Sequence, residues 1–366
     1  MERTVISADS HVCEHPNTFI DRIDKKFLER APRLVHDEKR GDVFLVDGSP
    51  NSVPLSLTSA AGKKPEELSA TGAVFDKLHR GGWDPVARLG DQDVDGIAAE
   101  VIYPSVGMEI CGNPDLDYKK ACMDAYNLWI AEFCAHDPRR LIGLGQTAVR
   151  TPEDGIVDLR SIKGLGLRGV MLPGRPGVED YDSPVYDEFW AASIELGLPV
   201  SFHILTSGET LKQLVRGSRL NAFMNIIRGN QDIMGLMVFG SVFMRHPRLK
   251  IVCVEADAGW VPHYMYRMDH AYKRHRHWLK GDELERLPSE YFREHIYLTF
   301  QDDSSAFQVK DFLNVRRIMW ANDFPHSDST WPHSREVLAE HTAPLNEEEK
   351  GWVLHDNVAE LYGIDL

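Results

Sequence analysis

The pattern that most restricts the fold is an alternation of short apolar runs, each bounded by Gly, Pro or Asp, with longer segments of helical period. Eight such runs begin near Val5, Ile97, Leu141, Gly169, Pro199, Leu249, His295 and Arg317. Runs this short, closed by turn residues, read as buried strands, and strands alternating with helices read as βα units with a parallel sheet. Helices are expected over residues 115–135, 152–162, 185–196, 230–245, 261–278, 304–313, 334–340 and 346–362. The last opens with Asn346 ahead of Glu347, Glu348 and Glu349, a side-chain cap followed by negative charge at the positive end of the helix dipole. Eight parallel strands with intervening helices predict an α/β fold of the (β/α)8 TIM-barrel type. An open doubly wound sheet is the alternative, and in both the chemistry gathers where the strands end.

The rhythm breaks once, because the chain between the first and second strands is far longer than a βα connection needs. Residues 25–90 are therefore read as an insertion within one domain spanning residues 1–366. Its polar and apolar patches, such as Asp42-Val-Phe-Leu-Val-Asp-Gly, suggest a small hairpin followed by a flexible piece rich in Ser, Ala, Gly, Lys and Pro. Placed after strand 1, it is expected over the barrel mouth, as a lid or as a decorative or dimer-forming excursion.

Acidic residues outnumber basic ones by 56 to 41, a net charge of −15, which argues against a nucleic-acid or anionic-membrane partner. An anionic small substrate would then require a local basic pocket. No apolar stretch is long enough to span a bilayer, and Met1-Glu-Arg-Thr-Val-Ile lacks the core of a signal peptide, so a cytoplasmic location is expected. The 5 cysteines form no CxxC pair, which disfavours disulfides and a thiolate metal site. The basic, aromatic run from Tyr266 to Trp278 is read as a solvated helix or a subunit contact.

Chemistry-bearing residues cluster at the expected strand ends. Asp9 and His11 are two apart and so share a face as strand 1 finishes. His203 closes strand 5, and Asp323 follows strand 8. In a barrel these ends converge on one mouth. Two carboxylates and two imidazoles make a mixed oxygen and nitrogen set that suits Zn²⁺, with Mn²⁺ as the alternative, and leaves a position open for water or substrate. Any one histidine at a strand end is ordinarily a hydrogen-bonded or surface residue. The joint placement at strands 1, 5 and 8 is what points to a metal.

These residues sit within a wider likeness. The chain resembles the amidohydrolase-related family typified by aminocarboxymuconate semialdehyde decarboxylase. The resemblance rests on Asp9-Ser-His11-Val-Cys-Glu14, His203, the stretch from His246 through Glu255 to Trp260, Ala321-Asn-Asp323-Phe-Pro-His326, and Asn357-Val-Ala-Glu-Leu-Tyr362-Gly363. It implies a TIM barrel holding a single divalent metal through Asp9, His11, His203 and Asp323. It also implies decarboxylation or hydrolysis of a small, often aromatic or dienoic, carboxylic acid, and a homodimer.

One departure bears on the reaction. Decarboxylases of the family place a catalytic histidine just past strand 6, where this chain has Glu255, with Asp257 as a rival two residues on. A buried glutamate can serve as general acid or base but supplies no imidazolium. The resemblance thus points to a carboxy-lyase, and Glu255 to a hydrolase of amides, esters or lactones using a metal-activated water. A non-catalytic scaffold is the remaining alternative. Glu255, Asp323 and His326 are the expected catalytic groups, His326 by contact with Asp323 or with substrate, while Trp260 and His263 open the helix after strand 6. For the substrate carboxylate, Arg80 beside its glycines and Arg175 after strand 4 are the candidates, with Arg168 before that strand.

Overall fold

All eight apolar runs form strands in the computed structural model, which describes residues 4–208 and 215–366. We number the barrel strands β1 (Val5–His11), β2 (Ile97–Tyr103), β3 (Leu141–Gly143, continued by Gly145–Gln146), β4 (Val170–Met171), β5 (Val200–His203), β6 (Ile251–Val254), β7 (Ile296–Phe300) and β8 (Ile318–Trp320). Every neighbouring pair from β1 to β2, β2 to β3 and onward to β8 is parallel. Beyond β8 the chain returns to β1: Asp323 N–H donates to the Asp9 carbonyl at 3.1 Å, and His11 N–H to the Phe324 carbonyl at 2.6 Å. These bonds bring the last strand against the first in the (β/α)8 order.

Continuous apolar sequence is what such strands require, because helices cover their outer face while the barrel fills its own interior. Ile251, Val252, Cys253 and Val254 of β6 are accordingly all buried. The kink in β3 leaves backbone groups to be satisfied, and the helix Leu116–Cys134 does so: Asn127 donates to the Gln146 carbonyl at 2.8 Å and accepts from its N–H at 2.7 Å. Gly143 permits the close approach of that helix, since a Cβ would stand 2.9 Å from Cys134 Sγ, and Gly145 that of the helix Pro152–Gly164, since a Cβ would stand 2.6 Å from Ile162.

The expected helical segments form with changes of outline, among them a π-helical stretch at Trp352–Asp356 within residues 346–362, and Pro85–Asp95, Val106–Cys111 and Pro288–His295 are helices that the sequence reading did not list. Residues 230–245 divide into Arg228–Phe239 and Val242–Arg245, because Ser241 takes φ 61° in the left-handed region and breaks the spiral. Residues 304–313 give only Ser304–Gln308 and then a tight turn at Lys310–Phe312. No helix among the described residues is long and apolar enough to cross a membrane.

The insertion contains more order than a hairpin. Arg33–Asp37, Gly41–Leu45 and Ser52–Pro54 make a three-stranded antiparallel sheet. The chain after it reaches the loop that follows β8, where Ala60 and Ala61 N–H groups donate to the Pro325 carbonyl at 2.7 and 3.0 Å, and Ser327 N–H donates to that of Leu57 at 2.9 Å. The insertion therefore braces the loop carrying Asp323 and His326.

Candidate metal centre

The carboxyl ends of β1, β5 and β6 and the loop after β8 bring six side chains together. His11 Nε2 lies 3.6 Å from Asp9 Oδ1, 3.6 Å from Asp323 Oδ1, 3.8 Å from Glu255 Oε2 and 3.1 Å from His203 Nε2. His203 Nε2 is 3.8 Å from Asp9 Oδ1 and 3.1 Å from Glu255 Oε2. His326 stacks on His11 with ring centroids 3.8 Å apart, and its Nδ1 lies 3.1 Å from Asp323 Oδ1.

Two features of this cluster fit a cation. Both ring orientations are fixed from behind: His11 Nδ1 donates to the Pro104 carbonyl at 2.9 Å, and His203 Nδ1 to that of Ile204 at 3.0 Å. A carbonyl can only accept, so each Nε2 is left to face the cluster as a donor atom for a metal. Both oxygens of Asp9 and both of Asp323 are buried without a hydrogen-bond partner. Buried carboxylate oxygens are nearly always hydrogen-bonded or metal-coordinated, so four at one point mark a place for positive charge.

The electrostatics agree. Burial pushes the carboxyls of Asp9 and Asp323 upward, Glu255 reinforcing it in both. Burial pulls His203 the other way, yet the carboxylates of Asp9 and Glu255 beside it overcome it and raise its pKa well above the imidazole range. Glu255 resists its own burial through the His11 and His203 rings beside it, which hold its carboxyl far below the usual range. Burial, with His326 beside it, lowers His11, and burial lowers His326 to about 4.

The backbone carries the cluster under tension. Glu255, Asp257 and Asp323 have φ values of 56°, 57° and 49°, in the region that side chains other than glycine rarely enter. Buried polar contacts hold the frame behind it. Arg88 donates to Glu100 at 2.5 Å, to the His11 carbonyl at 2.8 Å and to that of Phe324 at 3.4 Å. Asn322 donates to Glu100 at 3.0 Å and accepts from the Ser7 and Ser10 hydroxyls at 3.0 and 2.8 Å. Ser105 Oγ lies 2.7 Å from His326 Nε2.

Of the four residues expected to ligate, Asp9, His11 and His203 group with Glu255, whereas Asp323 groups with His11, Glu255 and His326, so that His11 and Glu255 belong to both sets. Asp257 stands apart, at the rim near Asp302, Asp303 and Asp328. Trp260 packs on Tyr264 and Phe292, while His263 is exposed on the outer helix. The arginines divide. Arg80 is 73% exposed and ion-paired with Asp84, so that carboxylate, four residues along, draws it away from the cluster. Arg168 caps the chain end by donating to the Gly363 carbonyl at 3.1 Å. Arg175 lines a cavity of about 590 Å³ with Lys119 and Thr206. Sequence reasoning placed Glu255 among the catalytic groups but not among the ligands, and it missed Lys119 and the Arg88, Glu100 and Asn322 frame. Asn322 adjoins Asp323 and Glu100 lies within β2, but neither placement signals a partner from another strand.

Comparison with known proteins gives a consistent picture. A family model described as amidohydrolase matches residues 113–364, more than half of the chain. The 2-amino-3-carboxymuconate-6-semialdehyde decarboxylase of Dictyostelium discoideum is 24% identical over 316 residues, covering 82% of this chain and 82% of that protein. The crystal structure of an amidohydrolase from Mycobacterium avium subsp. paratuberculosis superposes with a TM-score of 0.82 at 21% identity, covering 99% of this chain and 100% of that one. A 5-carboxyvanillate decarboxylase from Novosphingobium aromaticivorans, complexed with manganese and 4-hydroxy-3-methoxy-5-nitrobenzoic acid, gives 0.69 at 17% identity over 98% and 96% of the two chains.

Proposed function

The chain belongs to the amidohydrolase family, and from that premise we propose that it is a divalent-metal-dependent carboxy-lyase releasing CO₂ from a small aromatic or dienoic acid. The observation that carries the reading is the set of four unpartnered oxygens of Asp9 and Asp323 facing two imidazoles. Decarboxylases among its relatives, one of them holding manganese and a nitrobenzoic acid, supply the reaction class. With Glu255 beside the four expected ligands, the donor set is rich in carboxylate, which favours Mn²⁺ over the Zn²⁺ that two imidazoles alone would suggest.

Bound there, a divalent cation supplies a Lewis acid for a substrate oxygen. The remaining work falls to the chain. Asp9, His11, His203 and Asp323 hold the ion, and their burial excludes water from it. Glu255 and His326, with side chains 14% and 11% exposed, are the members open to the mouth. We assign to Glu255, whose carboxyl is ionised at rest, the relay of a proton taken up from water at the mouth to the carbon that bears the carboxylate. The carbon–carbon bond breaks, its electron pair stays on that carbon and takes the proton, and CO₂ departs. His326 orients Asp323 from one ring nitrogen while Ser105 holds the other.

Metal content per chain and CO₂ release from a hydroxybenzoate panel test this, with ester and lactone hydrolysis assayed alongside. The expected result is one divalent metal per chain and CO₂ release that falls at least 100-fold, on the order of what a lost proton donor costs, in Glu255→Gln with the metal retained. Hydrolysis without CO₂ release would overturn the reading in favour of a hydrolase.

A further inference from the structure

The ring of strands is least tied where it closes. Every other pair of neighbouring strands shares a parallel ladder, but none forms between β8 and β1 among the described residues. Two backbone bonds join that seam, Asp323 N–H to the Asp9 carbonyl and His11 N–H to the Phe324 carbonyl. Their ends are three of the expected ligands and the residue after Asp323. The carboxylates of Asp9 and Asp323 face one another's charge here, and Asp323 is held at φ 49°. Strain of that kind persists only where the surroundings fix it.

Arg88 spans the seam from behind. It stands on the helix Pro85–Asp95, which ends the insertion and leads into β2, and it is fully buried. Its Nη1 donates to the His11 carbonyl at 2.8 Å and to that of Gly81 at 3.2 Å, and its Nη2 to the Phe324 carbonyl at 3.4 Å. Its guanidinium carbon lies 4.4 Å from the centre of the Phe324 ring. Glu100 neutralises it through Nε at 2.5 Å and accepts from Asn322 at 3.0 Å with its other oxygen. Asp323 is thus gripped through both of its chain neighbours, and His11 through its own carbonyl. Only a planar fork reaches acceptors on both sides of the seam at once; a lysine ammonium is a single point of charge.

We propose that Arg88 is a positioning residue of the metal centre: by pinning the His11 and Phe324 carbonyls across the seam between β8 and β1, it sets the separation of His11 from Asp323 and with it the affinity for the divalent ion. The insertion thereby acts on the centre from behind, through one residue of its last helix. The proposal rests on the divalent-metal part of the reading above and not on the reaction.

The test is calorimetric titration of the chelator-treated chain with Mn²⁺, well below the melting temperature, with near-ultraviolet circular dichroism as the check on folding. Arg88→Lys keeps the charge beside Glu100 and is expected to weaken Mn²⁺ binding at least tenfold, on the order of what loss of a group that orients a ligand costs. Phe324→Leu removes only the ring under the guanidinium and is expected to weaken it at least about threefold. Arg245→Lys is the control. Arg245 ties Asp187 to the Gly240 and Asp182 carbonyls ahead of β6, away from the strand ends that hold the centre. Its variant is expected to melt lower yet bind Mn²⁺ within about twofold of wild type, because lost stability does not alter affinity while the chain stays folded. Wild-type affinity in a folded Arg88→Lys, a loss below threefold in Phe324→Leu, or an equal loss in Arg245→Lys each overturns the proposal; if Arg88→Lys does not fold, Phe324→Leu decides. Failure of wild type to bind Mn²⁺ removes the metal centre and the proposal together. Tight binding by wild type and weak binding by Arg88→Lys, without CO₂ from any acid, rejects the carboxy-lyase reading and leaves the role of Arg88 standing.

Discussion

Glu14 shows how far one buried carboxyl can matter without touching the metal cluster. It is fully buried and accepts the backbone N–H groups of Ser105, Val106 and Gly107 at 3.1, 3.0 and 3.2 Å, at the start of the helix Val106–Cys111. Burial outweighs those amides and raises its pKa from 4.5 to about 7. Between these values the folded state keeps a proton that the unfolded chain has released, so this contribution to stability is full below about 4.5 and is lost as the pH rises through about 7. The loss is on the order of 3 kcal/mol across that window. Chemical denaturation of the metal-free protein at pH 5 and pH 8 should therefore show a fall in wild type that is markedly smaller in Glu14→Gln, where Asp257 still contributes. The residues of the centre divide by how readable they are. Asp9, His11, His203 and Asp323 are legible because each ends an apolar run, and position along a strand is a sequence property. Arg80, Arg175 and Lys119 are not, because whether a cation meets Asp84, solvent or a cavity is decided by how the chain folds around it.

At the scale of the element, the strand ends carry the strain. Asp257 follows β6 at φ 57°, partly buried, with its carboxyl pushed up to about 7 by burial and by Asp303 and Asp302. A glycine there relieves the left-handed backbone, worth about 1 kcal/mol, and removes a like-charge contact as well. Asp257→Gly is thus expected to be about 1–2 kcal/mol more stable than wild type in urea denaturation, and an unchanged or lower midpoint would refute the account. The strands themselves were legible to within a residue or two, because a buried parallel strand needs an apolar run and a terminator. The break at Ser241 was not, since the run of helical period continues through it and only the local φ ends the spiral. The third strand of the insertion escaped for a different reason. Ser52–Pro54 is too short to show a period and acquires its character by pairing with Gly41–Leu45.

The whole molecule concentrates negative charge where its ends meet. Asp9, Glu255 and Asp323 converge on two imidazoles only after β8 has come round to β1. Without a cation these carboxylates repel, and their unpartnered oxygens remain desolvated. Removing the metal with a chelator should lower the melting temperature, and restoring Mn²⁺ at about 100 times its dissociation constant should return about 3 kcal/mol of stability. In His203→Ala, calorimetry should detect little of that gain. Equal melting with and without metal would mean that no ion binds at this point. The parallel β/α order and the strand-end position of the candidate ligands were legible in the sequence alone, because periodicity and terminators are local and repeat along the chain. Which carboxylate joins the ligands, which arginine turns away, and which arginine lies buried behind them were decided only by tertiary structure. Those outcomes depend on how the folded chain surrounds each side chain, and burial, which sets the cost of each charge, exists only once the strands and helices have packed together.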